Sequence, residues 1–298
     1  MKCRRCGELA QVALPSHHTG FCAPCFETYF LRQVERGIHE HKQFSPEARI
    51  DLAVSGGKDS LGLLLALTQL GYTVTALHID LGIPVSSENA RSTVEAFCAK
   101  HDIVCHVLEM TQKGLPIPAV KKIIRRPICS VCGKIKRHWF NRFAYENGYD
   151  VLATGHNLDD EVARLFANTL RWDQAYLAGQ GPVNPAEGKF VRKVKPLCRL
   201  TEYETAVWCF LNGIEHVLAA CPYSAGASFT GHKKLLADLE ERSPGMKMQF
   251  YEHFLQRGKP AFQAVRAEAP PLNECARCGY PSSMEVCGVC RIKEQLEA

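Results

Sequence analysis

The stretch I-D-L-A-V-S-G-G-K-D-S, residues 50–60, decides the fold. Its first five residues form a short β-rich run, and the apolar run that follows it has the composition of a helix. The two glycines between them let the backbone approach an anion, and the unpaired N–H groups at the start of the helix favour negative charge there. The turn is not the G-x-x-x-x-G-K-[ST] loop, because no glycine stands five residues before Gly57 and Asp59 follows Lys58. It therefore predicts an anion site of another class, with an ordinary strand–helix turn as the alternative.

Strand-like and helix-like stretches alternate through the centre of the chain. Thr201 opens a capping box, T-E-Y-E, that predicts a helix through Leu211. Short strands alternating with helices of about 10–15 residues predict an α/β fold, in which a parallel sheet carries helices on both faces and binds ligands beyond the carboxyl ends of its strands. The predicted strands are residues 50–54, 73–79, 103–108 and 150–154, and the predicted helices are residues 61–70, 87–100, 134–147 and 158–170.

Four cysteines stand near each end of the chain, in two C-x-x-C pairs. This spacing is typical of two knuckles that hold one tetrahedral Zn²⁺, and four thiolates leave no open coordination position. We therefore predict two structural zinc sites, whose metal supplies folding energy to modules too short for a core of their own. Disulfides or free thiols are the alternative. The predicted zinc ligands are Cys3, Cys6, Cys22 and Cys25 at the front and Cys275, Cys278, Cys287 and Cys290 at the back.

Composition limits the class of protein. Of the 298 residues, 46% are hydrophobic and 22% are charged, so the chain can bury a sizeable core, and a disordered or low-complexity protein is excluded. No window approaches the roughly 18 uninterrupted apolar residues of a membrane helix, and the first residues lack the apolar region of a secretory signal. We therefore expect a cytoplasmic protein without a membrane partner, whose 15 cysteines serve metals rather than disulfides.

Loop-like stretches divide the chain into three predicted units. Joints are expected at 35–46, 179–188 and 266–273, and the second of these, G-Q-G-P-V-N-P-A-E-G, is a loop by composition. The predicted units are an N-terminal zinc finger at 1–35, a catalytic domain at 36–268 and a C-terminal zinc finger at 269–298.

Three further cysteines stand apart from the terminal clusters. Cys129 and Cys132 form a C-x-x-C pair, and Cys221 begins C-P-Y about ninety residues later. Three thiolates without a fourth predict an iron–sulfur cluster with one open iron, while a redox relay, a dithiol–disulfide pair and a third zinc site completed by a histidine remain open. Residues 121–137 hold seven Lys or Arg and no acid, which favours contact with a phosphate backbone over a merely solvated face.

Together these stretches resemble, in order and over nearly the whole chain, the TtuA-type tRNA 2-thiolation enzymes, the zinc-finger-bearing branch of the TtcA family of PP-loop ATP pyrophosphatases. The resemblance rests on the two four-cysteine clusters and on S-G-G-K-D-S at 55–60, H-I-D-L-G at 78–82, C-S-V-C-G-K-I-K-R at 129–137, T-G-H-N-L-D-D-E at 154–161 and C-P-Y at 221–223. It implies a parallel-sheet PP-loop domain flanked by two small zinc modules.

The resemblance also implies a site. It places a [4Fe–4S] cluster on the three central cysteines, with the fourth iron open to a sulfur ligand. It gives catalytic roles near the reacting base to Lys136, Asp160 and Asp59. The residues that it implies for ATP, bound with Mg²⁺, are Ala53, Ser55, Gly56, Gly57, Lys58, Asp59, Ser60, Ile79, Lys136 and Gly155.

The implied reaction is ATP-dependent thiolation of tRNA. ATP activates the C2 oxygen of a uridine as an adenylate and sulfur then replaces that oxygen, with position 54 of the T-loop favoured over wobble uridine 34 or cytidine 32. Sulfur would come from a ubiquitin-like protein ending in a thiocarboxylate, or from sulfide, and a homodimer is left open. A cluster-free persulfide relay through Cys129 and Cys132 is the alternative within this class. Outside it, an amide-forming PP-loop ligase would need no cysteine trio, and a non-catalytic zinc-ribbon protein would need no intact loop at 55–60.

Overall fold

The computed structural model, which describes residues 1–224, 229–264 and 272–297, is built around one six-stranded sheet. Its neighbouring strands are parallel except for the last pair, which is antiparallel. The predicted α/β class and parallel sheet are therefore confirmed. Numbered along the chain and given in spatial order, the strands are β5 (Cys105–Glu109), β4 (Val74–Asp80), β3 (Ile50–Val54), β6 (Val151–Thr154), β8 (Arg192–Val194) and β7 (Val183–Asn184).

Helices cover the sheet. They are α1 (Ala23–Glu40), α2 (Lys58–Gln69), α3 (Ser86–Lys100), α4 (Ile117–Ile123), α5 (Ile128–Glu146), α6 (Leu158–Leu170), α7 (Gln174–Gly179), α8 (Glu202–Leu211), α9 (Phe229–Arg242), α10 (Met246–His253) and α11 (Gly288–Glu297). The predicted bounds of α6 are those observed, because Asn157 and Asp160 form a capping box at its start. Within the described ranges, no helix is both long and apolar enough to cross a bilayer.

Two helices begin earlier than predicted. Helix α2 begins at Lys58, directly after the glycine turn, so its first N–H groups face the loop. Helix α5 begins at Ile128 and carries the C-x-x-C pair in its first turn. The prediction of a loop through 179–188 is wrong in part, because β7 lies inside it and pairs with β8. A strand of two residues is too short to leave a hydrophobic period in the sequence.

The front of the chain is continuous with the sheet domain. Strands β1 (Val12–Leu14) and β2 (Thr19–Phe21) form an antiparallel hairpin that leads into α1. Helix α1 runs through the predicted boundary at residue 35 and buries Phe26, Phe30 and Val34, spaced four apart. The ring of Phe30 stacks on Trp208 of α8 at 4.5 Å between centroids. The N-terminal cysteines are therefore attached to the core by one uninterrupted helix.

The back of the chain packs on the helices that carry the central cysteines. Strands β9 (Asn273–Glu274) and β10 (Pro281–Ser282) pair before α11. Val289 and Ile292 of α11 share an apolar cluster with Val131 and Ile135 of α5. Most of the joint predicted at 266–273, namely residues 266–271, lies outside the described part of the chain.

A buried ion pair ties α6 to the edge of the sheet. Glu161 is fully buried, and its carboxylate accepts hydrogen bonds from Lys195 Nζ at 2.7 Å, Gln180 Nε2 at 3.1 Å and Tyr251 OH at 3.0 Å. Lys195 Nζ also donates to the Gly181 carbonyl at 2.9 Å. Because these hydrogen bonds replace the water that both charged groups lose on burial, the ion pair is stable inside the protein. Removal of either partner would leave the other charge buried without solvation.

We expect Glu161→Ala to lower the free energy of unfolding by about 3–5 kcal/mol, because it leaves the Lys195 ammonium buried and unpaired. Urea unfolding measures this loss. The matched control is Glu95→Ala, which breaks an exposed pair with Arg91 on α3 and should cost about 0.5 kcal/mol or less. Equal losses in the two variants would contradict the structural role given to Glu161.

Candidate functional site

A cavity of about 770 Å³ opens where β3, β4 and β6 end. This is the edge of a parallel sheet at which ligands bind. Eight of the ten residues implied for ATP line it, whereas Gly56 and Lys58 do not. The eight are Ala53, Ser55, Gly57, Asp59, Ser60, Ile79, Lys136 and Gly155.

The glycine turn is held in shape by hydrogen bonds within it. Ser60 Oγ donates to the Gly57 carbonyl at 3.0 Å and accepts from the Ser55 N–H at 3.2 Å. Gly56 has φ +81°, a left-handed conformation that favours glycine. A Cβ on Gly155 would lie 2.8 Å from Ser60 N, so the loop after β6 packs against the turn with no room for a side chain. The turn thus presents the start of α2 to the cavity in a fixed position.

A chain of alternating charges connects the turn to α6 and α9. Lys58 Nζ lies 2.9 Å from Asp59 Oδ2 and 3.0 Å from Glu202 Oε1. Lys233 Nζ lies 3.1 Å from Glu202 Oε2 and 2.6 Å from Asp160 Oδ1. Burial opposes the charge of Lys233, but these two carboxylates raise its pKa above the ordinary value. Asp160 and Asp59, implied as catalytic from separate motifs, are therefore linked through two lysines and one glutamate.

Opposing influences act on the pKa of the Asp59 carboxyl. Burial raises its pKa, Lys58 and an Asn157 Nδ2 hydrogen bond of 3.1 Å oppose that shift, and the charge of Asp160 adds to it. Two carboxylates that repel each other at the edge of a cavity favour a bound cation, since a cation relieves the repulsion. The sequence motifs contain both acids, but they do not contain Lys233.

Two histidines at strand ends also line the cavity. Burial lowers the pKa of His156 to about 4, so its ring is neutral at pH 7, and Nδ1 lies 2.8 Å from Thr154 Oγ1. His78 Nδ1 lies 2.9 Å from the Val54 carbonyl, which makes it the donor and leaves Nε2 as an acceptor. Among the described residues Nε2 has no hydrogen-bond partner.

A basic wall forms the side of the cavity near β8. Arg137, Arg164 and Lys193 line it. Burial and the neighbouring charges of Lys195 and the two arginines lower the pKa of Lys193 to about 8. Arg137 lies in the basic stretch at 121–137, Lys193 lies in a second basic stretch at 189–199, and Arg164 lies in neither. Lys193 joins Arg137 because β6 and β8 pair, with Leu152 opposite Lys193.

The three central cysteines lie near one another, and one of them lines the same cavity. Cys221 lines it, and Cys129 Sγ donates to the Tyr223 carbonyl at 3.3 Å, which brings the first turn of α5 to the C-P-Y segment. Burial raises the pKa of Cys132, the nearby Lys136 opposes that rise, and the charges of Cys221 and Cys129 add to it. Cys129 and Cys221 are exposed. A donor set of three thiols beside an open cavity fits a cluster with one iron left for another ligand.

The two terminal sets of cysteines are more compact. In each set the four Sγ atoms lie within 4.8 Å of one another. Tetrahedral Zn–S bonds of about 2.3 Å need sulfur atoms roughly 3.8 Å apart, and Cys278 Sγ lies 3.8 Å from Cys287 Sγ. Burial opposes ionisation of Cys275, yet the N–H groups of Cys287 and Arg277 lower its pKa to about 6. Both sets therefore fit a closed four-thiolate metal site.

Comparison with known proteins gives two family matches. Residues 28–218 match the PP-loop domain, and residues 2–27 match the N-terminal LIM domain of 2-thiouridine synthetase TtuA. The resemblance drawn from the motifs is thereby confirmed.

Relatives match the chain from end to end. It is 41% identical to the tRNA-5-methyluridine(54) 2-sulfurtransferase of Thermotoga maritima, over 100% of this chain and 97% of the relative. It is 39% identical to the enzyme of the same name from Pyrococcus horikoshii, over 98% and 93%.

A solved structure agrees with this placement. The U34-tRNA thiolase NcsA from Methanococcus maripaludis, determined with its [4Fe–4S] cluster, superposes with a TM-score of 0.83 at 25% identity, covering 99% of this chain and 96% of that one. The two chains therefore share their fold over nearly their whole length. By its domain matches and its full-length relatives, the chain belongs to the TtuA family of PP-loop proteins.

Proposed function

We propose that the protein is an ATP-dependent tRNA 2-sulfurtransferase that converts the uridine at position 54 of the T-loop to its 2-thio form. One observation carries the proposal: a single cavity is lined by the glycine turn, by Lys136 and by Cys221. A base bound in this cavity can therefore be activated by ATP and receive sulfur without leaving the cavity. Position 54 is favoured over wobble uridine 34 because the relatives near 40% identity act at 54, whereas the 34-specific thiolase is only 25% identical.

The first step is adenylation. The C2 oxygen of the uridine attacks the α-phosphorus of ATP, an O–P bond forms, and the bond to the β-phosphate oxygen breaks to release pyrophosphate. The N–H groups at the start of α2 face the pyrophosphate, where the helix dipole also favours negative charge. Asp59 and Asp160 would hold the Mg²⁺ of the nucleotide, since carboxylate oxygens are ligands that Mg²⁺ prefers.

The second step replaces oxygen by sulfur. A sulfur nucleophile attacks C2, and AMP leaves with the former C2 oxygen. A [4Fe–4S] cluster held by Cys129, Cys132 and Cys221 would supply an open iron that binds sulfide and keeps it beside the base. Lys136, one turn beyond Cys132 on α5, stabilises the negative charge that develops on the departing phosphate. The ring of His156 in the same cavity is neutral at pH 7, so it adds no positive charge beside the nucleophile.

The remaining parts of the proposal concern cofactors and partners. Each terminal set of four cysteines holds one Zn²⁺. Sulfur comes from a thiocarboxylate-bearing ubiquitin-like protein or from sulfide, and the reaction takes place in the cytoplasm.

The test is thiolation of a defined substrate. Protein purified and reconstituted without oxygen is incubated with ATP, sulfide and tRNA that carries 5-methyluridine at position 54, and the tRNA is digested and mapped by mass spectrometry. We expect one sulfur at position 54, with AMP and pyrophosphate formed. Sulfur at position 34 or 32 would overturn the assigned position, and loss of ATP without thiolation of any tRNA would overturn the reaction.

The Cys221→Ala variant separates the cluster from a persulfide relay. We expect its iron content and thiolation to be lost together, because two thiolates cannot replace three. Cys105→Ala, at a half-buried cysteine on β5, is the control and should keep both. Full thiolation by Cys221→Ala without iron would favour the relay through Cys129 and Cys132.

Gly155→Ala tests the fit of the turn to ATP. The added Cβ would meet the backbone of Ser60 at 2.8 Å, so the turn must shift, and we expect the Kd for ATP to rise by about tenfold or more. Calorimetric titration measures this. Gly231→Ala on α9, whose Cβ would meet nothing within 4 Å, is the control. A Kd for Gly155→Ala equal to that of the control would show that this contact does not shape the nucleotide site.

Cys278→Ala tests the zinc assignment. Zinc content should fall from about two ions to about one per chain, because three thiolates bind the metal less tightly than four. Since α11 packs on α5, we also expect faster loss of iron from the central cysteines on exposure to chelator. Cys105→Ala again serves as the control. An unchanged zinc content would contradict the site.

A further inference from the structure

The end of α6, the turn after it and α7 expose three large side chains, one of which lines the cavity. Leu170, Trp172 and Tyr176 are 61%, 69% and 64% exposed. Tyr176 also lines the cavity. A single exposed apolar residue needs no explanation, but three within seven residues beside a binding site mark a contact surface.

Trp172 occupies a backbone conformation that disfavours it. Its φ is +50°, in the left-handed region where glycine is the usual residue after a helix. The turn is held by Trp172 N–H donating to the Thr169 carbonyl at 3.0 Å, by Asp173 N–H donating to the Asn168 carbonyl at 3.0 Å, and by the Asp173 side chain capping α7. Packing of the side chain does not offset this strain, because the ring lies mostly in solvent. Strain of this kind is typical of functional positions.

Positive charge lies beside these aromatic rings. Arg137 and Lys193 line the same cavity, and neither forms an ion pair in the part of the chain that the structure describes. Arg137 lies close enough to Tyr176 and to Cys132 to interact electrostatically with both. Its guanidinium also lies over Gly133, the residue after Cys132.

Exposed aromatic rings beside arginine and lysine match the chemistry of an unstacked RNA strand. Bases drawn out of a helix stack on aromatic side chains, and the phosphates that flank them need cations. A uridine whose C2 must reach the glycine turn has to leave its stack, so its neighbours lose stacking too. A protein partner would bury the apolar patch but would have no need for unpaired cations inside the cavity.

We propose that Tyr176 and Trp172 form a stacking platform for the tRNA strand next to the target base, and that Arg137 and Lys193 neutralise its flanking phosphates. This inference rests on the proposed function, since it names the site at which that substrate enters. Tyr176 contacts the nucleotide nearest the cavity, and Trp172 contacts the next one outward.

Steady-state kinetics with tRNA test the platform. We expect Tyr176→Ala and Trp172→Ala each to raise the KM for tRNA by roughly 5- to 100-fold, the loss that follows removal of one base–aromatic stack. The KM for ATP should change less than twofold. Tyr176→Phe keeps the ring and should stay near wild type, whereas an equal defect in Tyr176→Phe and Tyr176→Ala would overturn stacking.

Phe210→Ala is the matched control for the loss of an exposed aromatic ring. Phe210 is on α8, is 84% exposed and does not line the cavity, so its removal should leave the KM for tRNA unchanged. A similar rise in KM for Phe210→Ala would show that the effect is not specific to the α6–α7 connection.

Tryptophan fluorescence gives a second readout that does not depend on thiolation. The chain has three tryptophans, of which Trp208 is fully buried and Trp172 is exposed. Saturating tRNA should quench the wild-type emission, and Trp172→Phe should lose most of that quenching while still binding tRNA. Equal quenching in both proteins would overturn the role of Trp172.

The outcomes separate this inference from the proposed function. If wild-type protein thiolates no tRNA, the proposed function fails. If it thiolates tRNA but Tyr176→Ala and Trp172→Ala keep the wild-type KM, the platform alone fails. A change confined to the KM for a protein sulfur donor, or a shift from dimer to monomer on sedimentation, would show that the patch binds another protein and would overturn the assignment to tRNA.

Discussion

The close approach of Gly155 to the backbone of Asp59 and Ser60 is the constraint on which the site depends. A Cβ at residue 155 would lie 2.8–2.9 Å from that backbone. The segment after β6 and the turn after β3 can therefore approach this closely only because residue 155 has no side chain. This packing brings Asn157 to Asp59 and sets the start of α6 beside the start of α2. The N–H groups at the start of α2 then face the cavity beside the capped start of α6, which suits a phosphate group bound at this helix N-terminus.

Helix α5 connects the metal chemistry to the rest of the fold. Its first turn carries Cys129 and Cys132, its second carries Lys136 and Arg137, and Ile135 on its buried face packs in the same apolar cluster as α11. A displacement of this helix would move both cysteines, Lys136 and one wall of the cavity together. The C-terminal four-cysteine module thus supports the position of the central cysteines, although it lies about 150 residues away in sequence.

Much of this arrangement is local in the sequence. The glycine turn, the capping boxes at Asn157 and Thr201 and the terminal C-x-x-C pairs each depend on residues within a few positions of one another, so their patterns predict the structure directly. Strand β3 and helix α6 have the predicted bounds for this reason. Strand β7 was not predictable in the same way, because it depends on pairing with β8, whereas Ile128, Val131 and Ile135 give α5 a helical apolar spacing from its first residue.

The sequence by itself determined the α/β class, the family resemblance and the residue types that the chemistry needs, because short contiguous motifs encode them. Only the tertiary structure decided which charges meet. Lys233 of α9 reaches Asp160 of α6, Lys193 joins Arg137 through the pairing of β6 with β8, and Tyr176 lines the cavity after α6 ends. The partners in these contacts come from different elements that stand far apart in the printed sequence, so no local pattern records them.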